Sequence, residues 1–79
     1  MLSELLKEFR QKDNLMQKEM ADLLGISREH YAQIESGNVI PSVRLLLIIS
    51  EKLPIEITII FSHGTCEYLY RGIEWKGRM

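Results

Sequence analysis

Little in this chain can be assigned to covalent, catalytic or membrane chemistry. Its 79 residues contain one cysteine, Cys66, so no disulfide can close within the chain, and a lone thiol suits a reducing cytoplasm. The longest apolar run, Leu45 to Ile49, is far too short to span a bilayer, and no secretory leader pattern is visible. Glycine patterns of the Walker and Rossmann kinds are absent, and no Ser-His-Asp or Cys-His set is credible. Those absences argue against an enzyme, and against a cofactor, a metal or a small-molecule substrate. A basic excess is missing too. The formal net charge is −1, and residues 1 to 62 carry seven basic and nine acidic side chains. A polyanionic partner must then be held by local charge placement, with weak non-specific affinity. There is no internal repeat and no low-complexity segment. A chain this short buries one modest core, so a homodimer that hides further apolar surface is expected.

What the chain does have is concentrated in residues 17 to 37, QKEMADLLGISREHYAQIESG. They read as two short helices joined by a glycine turn. Gly25 tolerates the left-handed backbone that such a turn requires. Ala21, four residues earlier, presents only a methyl group where two crossing helices approach. Met20, Leu24, Ile26, Tyr31 and Ile34 supply apolar contacts that lock one helix across the other. Ser27 is placed to cap the second helix, and Gly37 to stop it. The spacing puts Tyr31 toward the core, where it packs instead of stacking on a base. This arrangement points to a DNA-binding helix-turn-helix.

The wider pattern resembles the XRE/Cro family of phage and bacterial repressors over roughly residues 2 to 61. The residues that carry the likeness are Phe9-Arg10, Leu15, Gln17, Ala21, Leu24-Gly25-Ile26-Ser27, Ile34-Glu35-Ser36-Gly37-Asn38, Pro41-Ser42, Leu46, Ile49 and Leu53. The resemblance implies a mainly α fold, a compact five-helix lambda-repressor-like domain. It also implies an ion pair between Arg10 and Glu35 that holds the first helix to the end of the recognition helix. The chain departs from the family at two places. Met16 stands where the family usually has Ser or Thr, so no side-chain oxygen caps the second helix, although Glu19 can bond back to the Met16 N–H as half of a capping box. The β-branched run Ile57 to Ile60 stands where the family has its fifth helix.

Along the chain, Leu2, Leu5, Leu6 and Phe9 recur at helical spacing, and Asp13-Asn14 ends that first helix. The second and third helices span Gln17 to Leu24 and Arg28 to Ser36. A fourth starts at Pro41-Ser42 with Ser42 as N-cap, turns Val43, Leu46, Ile49, Ser50 and Leu53 inward, and is closed by Pro54. Leu45 and Ile48 then face outward as a partner surface. Residues 57 to 61 are a fifth helix if the family rule holds and a strand if local propensity wins. The helix is favoured, because tertiary context often overrides propensity.

The domain is expected to occupy residues 1–61, with residues 62–79 as a C-terminal β-strand or hairpin extension. Cys66, Tyr68 and Tyr70 alternate with Glu67, Leu69 and Arg71, which favours a strand, and Arg71-Gly72 could turn it back into Ile73-Glu74-Trp75. An isolated hairpin is marginal in water, so it should pack on its own chain or on a second copy. Ile59, Tyr68, Tyr70 and Trp75 join Leu45 and Ile48 as the candidate dimer or partner surface. His63 and Cys66 could lend two ligands per chain to a shared zinc, but a tetrahedral site needs four, and packing of Cys66 on the strand face is the plainer reading.

The first turn of a recognition helix, and the position one turn later, project into the major groove. Here these are Arg28, Glu29, Ala32 and Gln33, with His30 flanking. Arg28 can pair bidentately with guanine, Gln33 with adenine, and Glu29 can accept from cytosine while repelling phosphate. Phosphate contacts fall to Gln17 and Lys18, to Ser36 and Asn38 after the recognition helix, and to Ser42 and Arg44 at the fourth helix. The expected function is a homodimeric repressor on double-stranded DNA, reading an inverted repeat. The alternative, supported by the acidic balance, is an adaptor or antitoxin-like module that uses the same fold for protein contacts.

Overall fold

A computed structural model describes residues 2–73 of the chain. Four helices, α1 (Leu2–Lys12), α2 (Gln17–Leu24), α3 (Arg28–Glu35) and α4 (Val43–Lys52), precede an antiparallel hairpin of β1 (Ile55–Ser62) and β2 (Thr65–Gly72).

The helices stop where the backbone can turn left-handed. Asn14 (φ 57°), Gly25 (φ 75°) and Gly37 (φ 86°) follow α1, α2 and α3. At each, the N–H of that residue and the N–H of the residue after it cap carbonyls of the last turn, as with Gly25 to Asp22 at 3.2 Å and Ile26 to Ala21 at 3.0 Å. The starts are equally specific. Ser27 accepts from the His30 N–H at 3.1 Å, and Ser42 from the Leu45 N–H at 3.2 Å. Met16 has no capping oxygen, but its N–H donates to Glu19 at 2.7 Å, so the half capping box forms as expected.

Leu6, Met20, Tyr31, Leu46, Ile49 and Leu53 form the sealed centre of the core. Two expectations fail around it. The fifth helix is absent among the described residues, because 57–61 lie in β1. The partner that fixes this choice is β2, which satisfies the β1 backbone over the full register from Ile55↔Gly72 to Ser62↔Thr65. Ile55, Ile57 and Ile59 then share a face with Tyr70 and Tyr68 and turn it toward the helices, while Glu56 pairs with Arg71 outside at 2.6 Å.

The second correction concerns α4. Leu45 is buried and Ile48 half-buried, while Val43, Leu47 and Ser50 face solvent. The helix packs on α2 along one side and on β1 along another, so its covered arc is wider than one stripe and runs through Leu45, Leu46, Ile49 and Leu53. Leu45 is therefore core, not partner surface. Ile48, Tyr68 and Tyr70 also pack on the chain's own core, and Ile59 is half-buried.

The tail turns at a different place from the expected one. The reversal is at His63-Gly64, both with positive φ (49° and 79°), as a two-residue primed turn requires. Arg71 and Gly72 instead end β2 at the hairpin root, where Gly72 lies against Leu5 and the Ile73 N–H donates to the Pro54 carbonyl at 2.8 Å. Glu74 and Trp75, and so the return strand expected there, lie outside the described residues.

Candidate nucleic-acid interface

One side of α3 is anchored and the other is open. Tyr31, Ile34 and Glu35 are buried, whereas Arg28, Glu29, His30 and Gln33 are exposed and Ala32 is half-buried. The anchor is polar as well as apolar. Glu35, only 8% exposed, accepts from Arg10 Nε at 2.7 Å and Arg10 Nη2 at 3.1 Å, from the Tyr31 hydroxyl at 2.6 Å and from Gln17 Nε2 at 3.2 Å. The expected Arg10–Glu35 pair is thus present, inside a larger network. Arg10 also donates to the Leu15 carbonyl at 2.9 Å, which ties in the α1–α2 loop.

These bonds set the ionisation of the cluster. Burial opposes the charge on Glu35, but the hydrogen bonds from Arg10, Tyr31 and Gln17 outweigh it and hold the carboxyl below its ordinary value. The hydrogen bond to Glu35 raises Arg10, and burial followed by the same carboxylate raises Tyr31. Charge is fixed here, and the helix is held by it.

Gln17 links this network to the open face. Its Nε2 faces a carboxylate that can only accept, so its Oε1 is turned outward, 3.5 Å from Arg28 Nη1. That separation is the limit of a hydrogen bond, an orienting contact more than a strong one. Reading by residue type offered Gln17 only a phosphate; its place beside Arg28 depends on the crossing of α2 and α3.

The other candidates fall into two groups. Ser36 and Asn38 lie exposed in the turn after α3, where Ser36 Oγ donates to the Gln33 carbonyl at 3.0 Å. Ser42 and Arg44 lie instead beside the α2–α3 turn, lining with Gly25, Ile26 and His30 a shallow depression of about 260 Å³. Lys18 is exposed on the first turn of α2. His63 is in the hairpin turn with its ring 3.0 Å from Ser62 Oγ, and Cys66 is exposed. No group of three or more His, Cys, Asp and Glu among the described residues is disposed to hold a metal ion. No described helix is long and apolar enough to cross a membrane.

Two helices joined by the three residues Gly25, Ile26 and Ser27, the second anchored along one side and open along the other, define a helix-turn-helix. The chain belongs to the helix-turn-helix family of the XRE type, whose model matches residues 6–60. It is similar to the ImmF control region 10 kDa protein of Bacillus phage phi105, with 34% identity over 59 residues, covering 75% of this chain and 66% of that protein. It is also similar to the uncharacterized HTH-type transcriptional regulator YqaE of Bacillus subtilis (strain 168), with 34% identity over 71 residues, covering 90% of this chain and 61% of that one. The chain therefore spans about two thirds of the first relative and somewhat less of the second. No solved structure matches it significantly.

Proposed function

We propose that the chain is a sequence-specific regulator of transcription, a repressor that binds an inverted repeat in duplex DNA as a homodimer. The observation that carries this reading is the division of α3 into a buried edge and an exposed edge bearing Arg28, Glu29 and Gln33. Arg28 reads guanine, Gln33 reads adenine, Glu29 accepts from cytosine, and the small Ala32 lets the helix lie close in the groove. Lys18, Asn38, Ser42 and Arg44 hold the phosphates on either side, Gln17 adds the Nε2 hydrogen that Glu35 leaves free, Ser36 turns its hydroxyl from the Gln33 carbonyl to the DNA, and the exposed cations Lys18, Arg28 and Arg44 compensate locally for an acidic chain. The relatives' names, a phage control-region protein and a transcriptional regulator, support the same class.

The test is selection of binding sites from a random duplex library at near-physiological salt. The expected result is an inverted repeat with half-sites about 10 bp apart, one helical turn. No enrichment from folded protein, even at lowered salt, overturns the reading. The acidic balance then favours the second reading, a protein-binding adaptor or antitoxin-like module. Salt separates the two, since DNA binding weakens steeply as salt rises and an apolar contact does not.

A further inference from the structure

The hairpin overhangs the turn that follows α3 and leaves a groove between them. Its volume is about 370 Å³, and its walls include Ile34, Val39, Ile40 and Pro41 on one side and Cys66, Tyr68 and Tyr70 on the other. No charged residue among the described residues lines it. A cavity of about 150 Å³ already accommodates benzene, so there is room for an aromatic ring. At the mouth, Phe61 pairs in register with Cys66 and shares the groove-facing side of the sheet, yet it is 78% exposed and is not one of the groove's lining residues. Ile40, on the opposite wall, is 79% exposed. Every residue from Ile60 to Glu67 is exposed, so the hairpin tip stands clear of the body.

An uncharged hole and an exposed aromatic knob on one face of one molecule are the two halves of an isologous contact, in which each copy offers the same patch to the other. We infer that a second copy of this chain docks on this face, each Phe61 ring entering the groove of its partner between Ile40 and the Tyr68–Tyr70 wall. The inference rests on the homodimer of the proposed function and supplies its interface. Reciprocal insertion covers on the order of 300 Å² of phenylalanine surface and a similar area of groove wall. The rest of the roughly 1,000 Å² that a specific contact requires falls to the hairpin residues around Phe61, all of which are exposed from Ile60 to Glu67. The position of the groove fits the DNA reading, because Ser36 and Asn38 leave the recognition helix on the turn that forms its floor.

The experiment is sedimentation equilibrium of the full chain over about 1–100 μM for the wild type, Phe61→Asp and Ile40→Asp, with circular dichroism to establish folding. Both side chains are exposed in the single chain, so neither substitution disturbs the core. The expected result is a wild-type dimer that either variant weakens by roughly 30-fold or more, as loss of a central anchor does. A monomeric wild type, or folded variants that dimerise as tightly as the wild type, overturns the inference. A benzophenone side chain placed at position 61 in a mixture of light and heavy chains should cross-link to residues 37–41 of the other chain. Cross-links confined to one chain also overturn it. The DNA reading is scored separately, by site selection. If selection fails while Phe61→Asp abolishes the dimer, the interface stands and the DNA reading falls, and the converse pair of results reverses that judgement.

Discussion

The guanidinium of Arg10 meets the carboxylate of Glu35 through two hydrogen bonds, 2.7 and 3.1 Å, across 25 residues of sequence. The contact fastens α1 to the last turn of α3, and the pair is well covered, at 17% and 5% side-chain exposure. Removing Arg10 leaves the buried Glu35 charge with only the neutral donors Tyr31 and Gln17, which costs about 3 kcal/mol. Arg10→Met should therefore lower the melting temperature by roughly 15 °C in a domain of this size. Joint replacement of both residues by Met should recover only part of the loss, because it also leaves the buried Tyr31 hydroxyl without its acceptor. Urea unfolding of the two single variants and the double variant measures this, and simple additivity would show that the two do not act as a pair.

The pH dependence follows from the same carboxylate. Because the folded pKa of Glu35 is held below its ordinary value, the unfolded chain takes up its proton first as pH falls. The stabilisation is complete above pH about 4.3 and is lost as pH drops through the folded value. Unfolding free energies measured from pH 6 to 3 should fall less steeply in Glu35→Gln than in the wild type. Parallel curves would remove Glu35 from the account of acid stability.

Tyr31 has the opposite sign. Burial first, and then the hydrogen bond to Glu35, raises its phenol above the ordinary value. Its stabilisation is complete below pH about 10 and is lost as pH rises beyond that. One tyrosine should resist ionisation, read as phenolate absorbance, until the domain unfolds in alkali, and Tyr31→Phe should abolish that late step.

The rotation of α4 gives a sharp comparison between neighbours. Leu45 is 5% exposed and Leu47 is 58% exposed. Leu45→Ala should cost about 2–4 kcal/mol and Leu47→Ala less than about 0.5 kcal/mol. Equal costs in thermal or urea unfolding would return α4 to the orientation expected from the sequence.

The helix-turn-helix was legible because its signals are local. Gly25, Ser27, Gly37 and Ser42 each act within a few residues of themselves, and the structure uses each as read. The Arg10–Glu35 pair was legible through the family resemblance. What was not legible depended on partners distant in sequence. Residues 57–61 have strand propensity, but the choice of strand over helix is made by β2, and a helical stripe cannot report that α4 is covered on two sides. Phe61 and Ile40 gave no periodic signal because their exposure is set by where the hairpin lies.

The hairpin turn carried a signal that can be strengthened. His63 occupies a positive-φ position that Asn tolerates better, and Asn-Gly is the preferred pair in a primed two-residue turn. His63→Asn should stabilise the domain by about 0.5 kcal/mol, since the ring of His63 is exposed and, among the described residues, bonds only to the neighbouring Ser62. A rise in the urea midpoint at unchanged slope is the expected readout, and a fall would mean that the His63–Ser62 contact matters more than the backbone.

Gln17 yields the prediction closest to DNA recognition. Glu35 fixes which end of its amide points where, and the outward oxygen stands at the guanidinium of Arg28. If that contact aims Arg28 at its base, Gln17→Leu should do more than weaken binding. On the selected operator, affinity should fall about tenfold, and the preference at the base pair read by Arg28 should broaden while other positions keep theirs. Stability should fall only slightly, because Glu35 keeps its bonds from Arg10 and Tyr31. A uniform loss of affinity with every base preference intact would assign Gln17 to the phosphate alone, and Arg28 would then orient itself on the DNA.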